Sequence, residues 1–192
     1  MEVDQSHFNV VVVGAGISGI GAGYHLQKQC PNKSFVILEG RETFGGTWDL
    51  FRYPGIRSDS DMHTMGFRFK PWIDERFIAD GTSIINYLDE TISENNLKDK
   101  IKYQRKVLTS SWSSSESKWT LEVENIKSGT IDKYTCNFLM CCGGYYNYEE
   151  GYNPDIKNQD QFNGPIIHPQ KWPEDLNYQN KKVIIIGSGA TA

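Results

Sequence analysis

The chain has 192 residues, 38% of them hydrophobic and 12% aromatic, enough to bury one sizeable core. Its formal net charge is −4 and its charges are scattered rather than gathered in a basic stripe, which argues against a nucleic-acid partner. The opening residues MEVDQSHFN carry acids and no basic run, and no apolar stretch approaches a membrane span. A cytoplasmic protein without a transmembrane segment is expected.

In chain order, Phe8 to Val13 is a β-branched run ended by Gly14 and reads as a strand covered on both faces of a parallel sheet. From Ile17 to Gln29 the apolar and small residues keep helical spacing until Pro31. Ser34 to Leu38 is again apolar and ends at Glu39, completing a βαβ unit. Ile84, Ile85, Leu88 and Ile92 place an amphipathic helix over 82–95, expected to pack on the sheet. Segments 101–112, 119–126 and 130–135 alternate apolar and polar residues around SSSES and KSG, which predicts a three-stranded meander. A separate buried strand is predicted over 137–142, a Gly-, Pro-, Asn- and Tyr-rich ordered loop or linker over 143–178, and another buried strand over 182–186.

Cys30, Cys136, Cys141 and Cys142 contain no CxxC pair and are expected as buried free thiols in a reducing compartment. His7, His25, His63 and His168 share no ligand spacing with one another or with the cysteines, so no metal site is expected.

The chemistry sits in GAGISG. Gly14 suits the tight turn, Gly16 the close approach of backbone to a pyrophosphate, and Gly19 the packing of helix on strand, with phosphate charge at the helix N-terminus. The motif follows a predicted strand, opens a predicted helix, and has an acid, Glu39, ending the next strand. A carboxylate there accepts ribose hydroxyls and repels a 2′-phosphate, so this site prefers FAD or NAD to NADP. VIIIGSGATA begins a second such unit, with Gly187, Gly189 and Ala192 at the glycine positions and Ser188, Ala190 and Thr191 between them. Its helix and second strand do not follow, so an N-terminal part of a longer protein is expected.

Between the two glycine motifs, GGTWDLFRYPGIRSD resembles the flavin-side pattern of Baeyer–Villiger monooxygenases, through Gly46, Trp48, Tyr53, Pro54, Gly55 and Asp59. FNGPIIHPQKWP resembles the signature of the same family through Phe162, Gly164, His168, Trp172 and Pro173. RYPGIRSDSDMHT and GPIIHPQKWPEDL look closest to its ethionamide-activating group. The resemblance covers essentially the whole chain. It implies an enzyme, an FAD- and NADPH-dependent monooxygenase that uses O2 to insert oxygen beside a ketone carbonyl, giving an ester or lactone, or onto an organosulfur substrate. The catalytic arginine of the family lies beyond Ala192 by the same resemblance.

Carried over residue by residue, the resemblance implies FAD contacts from Ser18, Glu39, Gly46, Thr47, Trp48, Asp49, Leu50 and Asp59, and from Val107 through its backbone. Arg57, Ser58 and Asp59 would face the nicotinamide. Asp59 and His168 are the candidate catalytic residues. For Asp59 a helix N-cap role in SDSDMHT stays open. The ordinary pKa of His168 suits a general base. Yet Pro165, Pro169 and Pro173 mark a stiff linker, the resemblance ties this histidine to interdomain movement and cofactor handling, and a purely structural role stays open. The tyrosines Tyr145, Tyr146, Tyr148 and Tyr152 are expected to pack at a domain junction.

The expected fold is therefore α/β. Residues 1–145 form a Rossmann-like FAD-binding domain with an inserted three-stranded meander, 146–181 a linker, and 182–192 the first strand and glycine turn of an NADP-binding Rossmann domain. Two rival readings are a flavin-containing or N-hydroxylating monooxygenase, against which the FNGPIIHPQKWP match argues, and an inactive FAD-binding remnant.

Overall fold

The computed structural model describes residues 5–189 and 191. β1 (Gln5–Val13), α1 (Ile17–Gln29) and β2 (Phe35–Leu38) form the right-sized unit around the first glycine turn. Short helices α2 (Thr47–Leu50) and α3 (Met62–Met65) follow, then the longer α4 (Gly81–Glu94). The remaining strands are β3 (Ile101–Lys102), β4 (Arg105–Ser113), β5 (Lys118–Asn125) and β6 (Thr130–Cys141).

All of these strands join one six-stranded sheet in the order β3-β2-β1-β6-β5-β4. β1 lies inside it, parallel to β2 and to β6, with Val13 opposite both Leu38 and Cys141. That placement explains its unbroken apolar run, since both of its faces are covered. On one face Val10, Val12, Phe35 and Ile37 pack with Ile20 of α1 and with Ile84, Tyr87, Leu88 and Ile92 of α4. On the other, Val11, Val36 and Leu38 meet Leu121, Val123, Tyr134 and Cys136, so the antiparallel strands fold back over the parallel ones. The hydrogen bond from Arg105 N to the Glu39 carbonyl, 2.8 Å, pins the start of β4 to the end of β2.

Several expectations change here. Segments 130–135 and 137–142 are one continuous strand, β6, whose first part pairs antiparallel with β5 while the stretch to Cys141 pairs parallel with β1. Its far end is not buried, since Phe138 is 60% exposed. Of the four free cysteines only Cys136 is buried; Cys30 and Cys141 are exposed and Cys142 half-buried. Lys182 to Ile186 is not a buried strand: it pairs with nothing described and leaves Ile184 79% exposed. A strand persists only where neighbours complete its ladder, and no strand of the sheet pairs with this segment. The first strand of a second Rossmann unit is therefore absent from the described residues.

The N-cap in SDSDMHT is Asp61, not Asp59. Its carboxylate accepts from Thr64 N at 2.9 Å.

Candidate dinucleotide site

The first glycine turn has little steric freedom. Gly14 adopts φ +101°, and a Cβ there would stand 2.6 Å from the Cys142 carbonyl oxygen. A Cβ on Gly19 would stand 1.8 Å from the Gly14 carbonyl oxygen, so helix and strand approach as closely as the motif requires. Gly16 is the N-cap of α1 with no side-chain hydrogen bond, so the first-turn amides of the helix face the cavity beside it.

A second glycine turn docks on the first. Gly45 N donates to the Ala15 carbonyl at 3.0 Å. A Cβ on Gly46 would come within 3.2 Å of Gly16 Cα. α2 starts at this point and presents Thr47, Trp48 and Leu50 to the same space.

Glu39 is buried and firmly held. One carboxylate oxygen accepts from Ala15 N at 2.7 Å and the other from Arg41 N at 2.9 Å. Each oxygen keeps a further lone pair for a hydroxyl donor. Arg41 lines the cavity too, and its guanidinium pairs with Asp49 at 2.6 Å. Arg52 pairs with the other oxygen of Asp49.

Together these elements enclose a cavity of about 450 Å3 lined by Gly14, Gly16, Ser18, Glu39, Gly46, Thr47, Trp48, Leu50 and Val107. Its size falls within the roughly 300–1,000 Å3 of ligand pockets. The structure thus gathers the first glycine motif, the acid, the Gly-x-Trp turn and the Val107 strand into one place. Gly19 lies behind the cavity as packing, and Asp49 faces away from it as the anchor of Arg41 and Arg52.

Arg57, Ser58 and Asp59 do not line the cavity. Arg57 and Asp59 are exposed, while Ser58 is buried and accepts from Ala79 N at 3.1 Å. Asp59 lies by an aromatic group in which the Phe51 ring is 6.0 Å from Tyr53 and 5.2 Å from Tyr146. The hydrogen bond with Tyr145, then burial and the charges of neighbours including Asp59, push the Tyr146 hydroxyl up to about 12.

His168 also lies off the cavity, half-buried, its Nδ1 accepting from Gln170 N at 3.2 Å to cap the turn Pro169–Lys171. Gly187, Ser188, Gly189 and Thr191 do not line the cavity, and Ala190 and Ala192 lie outside the described residues.

Sequence reasoning missed Arg41, Gly45, Lys106, Cys142, Tyr148 and Glu149, all of which line the cavity. Gly45 was readable, being the first glycine of FGGTWD. The others carried no local signal. Tyr148 stands in the cavity with its hydroxyl toward Thr47; burial raises its pKa and the Thr47 hydrogen bond opposes that rise. Burial likewise pushes the Cys142 thiol up, keeping it neutral and poorly nucleophilic at pH 7. Among the described residues no cluster of three or more His, Cys, Asp or Glu could hold a metal ion, and no helix is long and apolar enough to cross a membrane.

This fold and site define a Rossmann-like dinucleotide-binding unit, and the family described as NAD(P)-binding Rossmann-like domain matches residues 12–76. The FAD-containing monooxygenase EthA of Mycolicibacterium smegmatis is 57% identical over 186 residues, which are 97% of this chain and 37% of that protein. A crystal structure of cyclohexanone monooxygenase with bound ε-caprolactone superposes with TM-score 0.80 at 25% identity, covering 97% of this chain and 36% of the other. An oxidised steroid monooxygenase bound to NADP superposes with TM-score 0.74 at 26% identity, covering 88% and 32%. The chain is similar to FAD-containing monooxygenases of the EthA group, and it spans somewhat over a third of the length of the curated relatives it matches.

Proposed function

We propose that the cavity holds FAD and that the chain is the flavin-binding part of a Baeyer–Villiger-type monooxygenase consuming NADPH and O2. The observation that carries the reading is the convergence of Gly16, Ser18, Glu39, Thr47, Trp48 and Val107 on one cavity. In this reading the open first turn of α1 takes the pyrophosphate, the fixed Glu39 carboxylate takes the ribose hydroxyls, and the backbone near Val107 takes the adenine. Arg41 and Lys106 stand near Glu39, each paired with a carboxylate, Asp49 or Glu149. Bound flavin supplies the redox chemistry.

The substrate is a small ketone, converted to an ester or lactone, or an organosulfur compound oxygenated at sulfur. NADPH is assigned to the motif of Gly187, Ser188, Gly189, Ala190, Thr191 and Ala192. Asp59 would hold and orient the nicotinamide side from beside the aromatic group. His168 acts through the segment it caps rather than as a proton donor.

Two measurements test the reading. Glu39→Arg should reduce flavin retained after desalting by about tenfold, one lost charge-assisted contact being worth roughly that factor; undiminished retention overturns the ribose assignment. In the complete gene product, 18O from dioxygen should enter an ester made from a ketone in the presence of NADPH. Peroxide as the only product from every ketone and sulfide tried would reject the monooxygenase.

A further inference from the structure

We propose that residues 143–151 form a strap across the dinucleotide cavity, that Tyr148 and Glu149 are the positioning residues that latch it shut, and that the turn at His168 and Gln170 anchors its far end. The proposal rests on the FAD reading of the cavity.

The two latches engage opposite ends of the site. The Tyr148 hydroxyl stands 3.4 Å from where a Cβ on Gly46 would be, beside the point where Gly46 and Gly16 come together at the helix N-terminus. The next residue, Glu149, forms an ion pair with Lys106, whose side chain packs on Gly40 just past Glu39. One short segment therefore bridges the pyrophosphate end and the ribose end. It contains no helix or strand of its own.

The anchor joins this strap to the segment that carries His168. Gln170 Nε2 donates to the Asn147 carbonyl at 2.8 Å. The Asn147 side chain in turn accepts from Glu149 N at 3.0 Å, fixing the turn that aims Glu149 at Lys106. Gly151 lies flat against the His168 imidazole, where a Cβ would come within 2.2 Å of Cε1. With both ends of the site bridged, a dinucleotide enters or leaves only when the strap lifts. The latches should then slow both directions of exchange, whereas ordinary ligand contacts would slow departure alone.

The test follows FAD association and dissociation in the whole chain by flavin fluorescence. Glu149→Gln and Tyr148→Phe should each speed both rates about three- to fivefold, the scale of an exposed ion pair or single hydrogen bond, with an unchanged thermal midpoint. The charge swap Lys106→Glu with Glu149→Lys should restore the parent rates. Rates within twofold of the parent, acceleration of dissociation only, or a swap that restores nothing would overturn the strap.

Amide hydrogen exchange without FAD gives an independent readout. Exchange over 143–151 should rise in Glu149→Gln and in Gly151→Ala, and unchanged exchange in both rejects the proposal. A parent chain that retains no FAD, while strap exchange still responds to the latches, counts against the FAD reading and supports the strap.

Discussion

Gly19 and Asp49 show how single residues set this site from behind it. A methyl group on Gly19 meets a backbone carbonyl rather than a movable side chain, so Gly19→Ala must shift α1 from β1. The cost should reach about 3 kcal/mol, the upper range for overpacking, read as a lower urea midpoint, and retained FAD should fall with it. Asp49 is buried and holds two guanidinium groups, one of them on the cavity wall. Asp49→Asn should cost about 1–2 kcal/mol in the same denaturation and loosen Arg41 against the Gly46 carbonyl. A stability equal to the parent would show that the two arginines need no common acceptor. At this scale Glu39 and Gly16 were legible because each belongs to a short motif with fixed spacing. Arg41 and Tyr148 were not, because Asp49 and Thr47 give them their positions and no sequence pattern encodes those pairings.

Among the elements, α4 has a start that can be measured. Asp80 caps it, accepting from Ser83 N at 2.8 Å, and this bond holds the Asp80 carboxyl below its ordinary range. With a depressed folded-state pKa, the contribution of the cap is complete above the unfolded value of 3.8 and disappears as pH falls through the lower folded value. Asp80→Ala should therefore destabilise by about 1 kcal/mol at pH 7 and by progressively less in acid. A loss that stays constant with pH would exclude the charged cap. α1 and α4 were legible because helical periodicity is local, and α1 matched its expected bounds from Ile17 to Gln29. β6 was not legible as one element. Its alternating first part faces β5 and its apolar end runs beside β1, so one strand carries the patterns of two.

The whole molecule contains an apolar segment that its own sheet does not use. Val183, Ile184, Ile185 and Ile186 are 62%, 79%, 66% and 70% exposed, a β-prone run without a ladder. Ile184→Ser together with Ile185→Ser should leave the thermal midpoint within about 1 °C, as expected for surface changes, while reducing self-association in light scattering. A clear drop in the midpoint would mean that the segment packs in solution. The sequence by itself determined the βαβ unit, the glycine turn after β1 and the acid that ends β2, because glycine conformation and strand burial are imposed over a few neighbouring residues. Tertiary structure decided that the meander folds over the parallel strands, that β6 is continuous, that Asp59 and His168 stand off the cavity, and that Tyr148 and Glu149 cross it. Those outcomes depend on which distant segments meet, and that is settled by packing the whole core rather than by any local pattern.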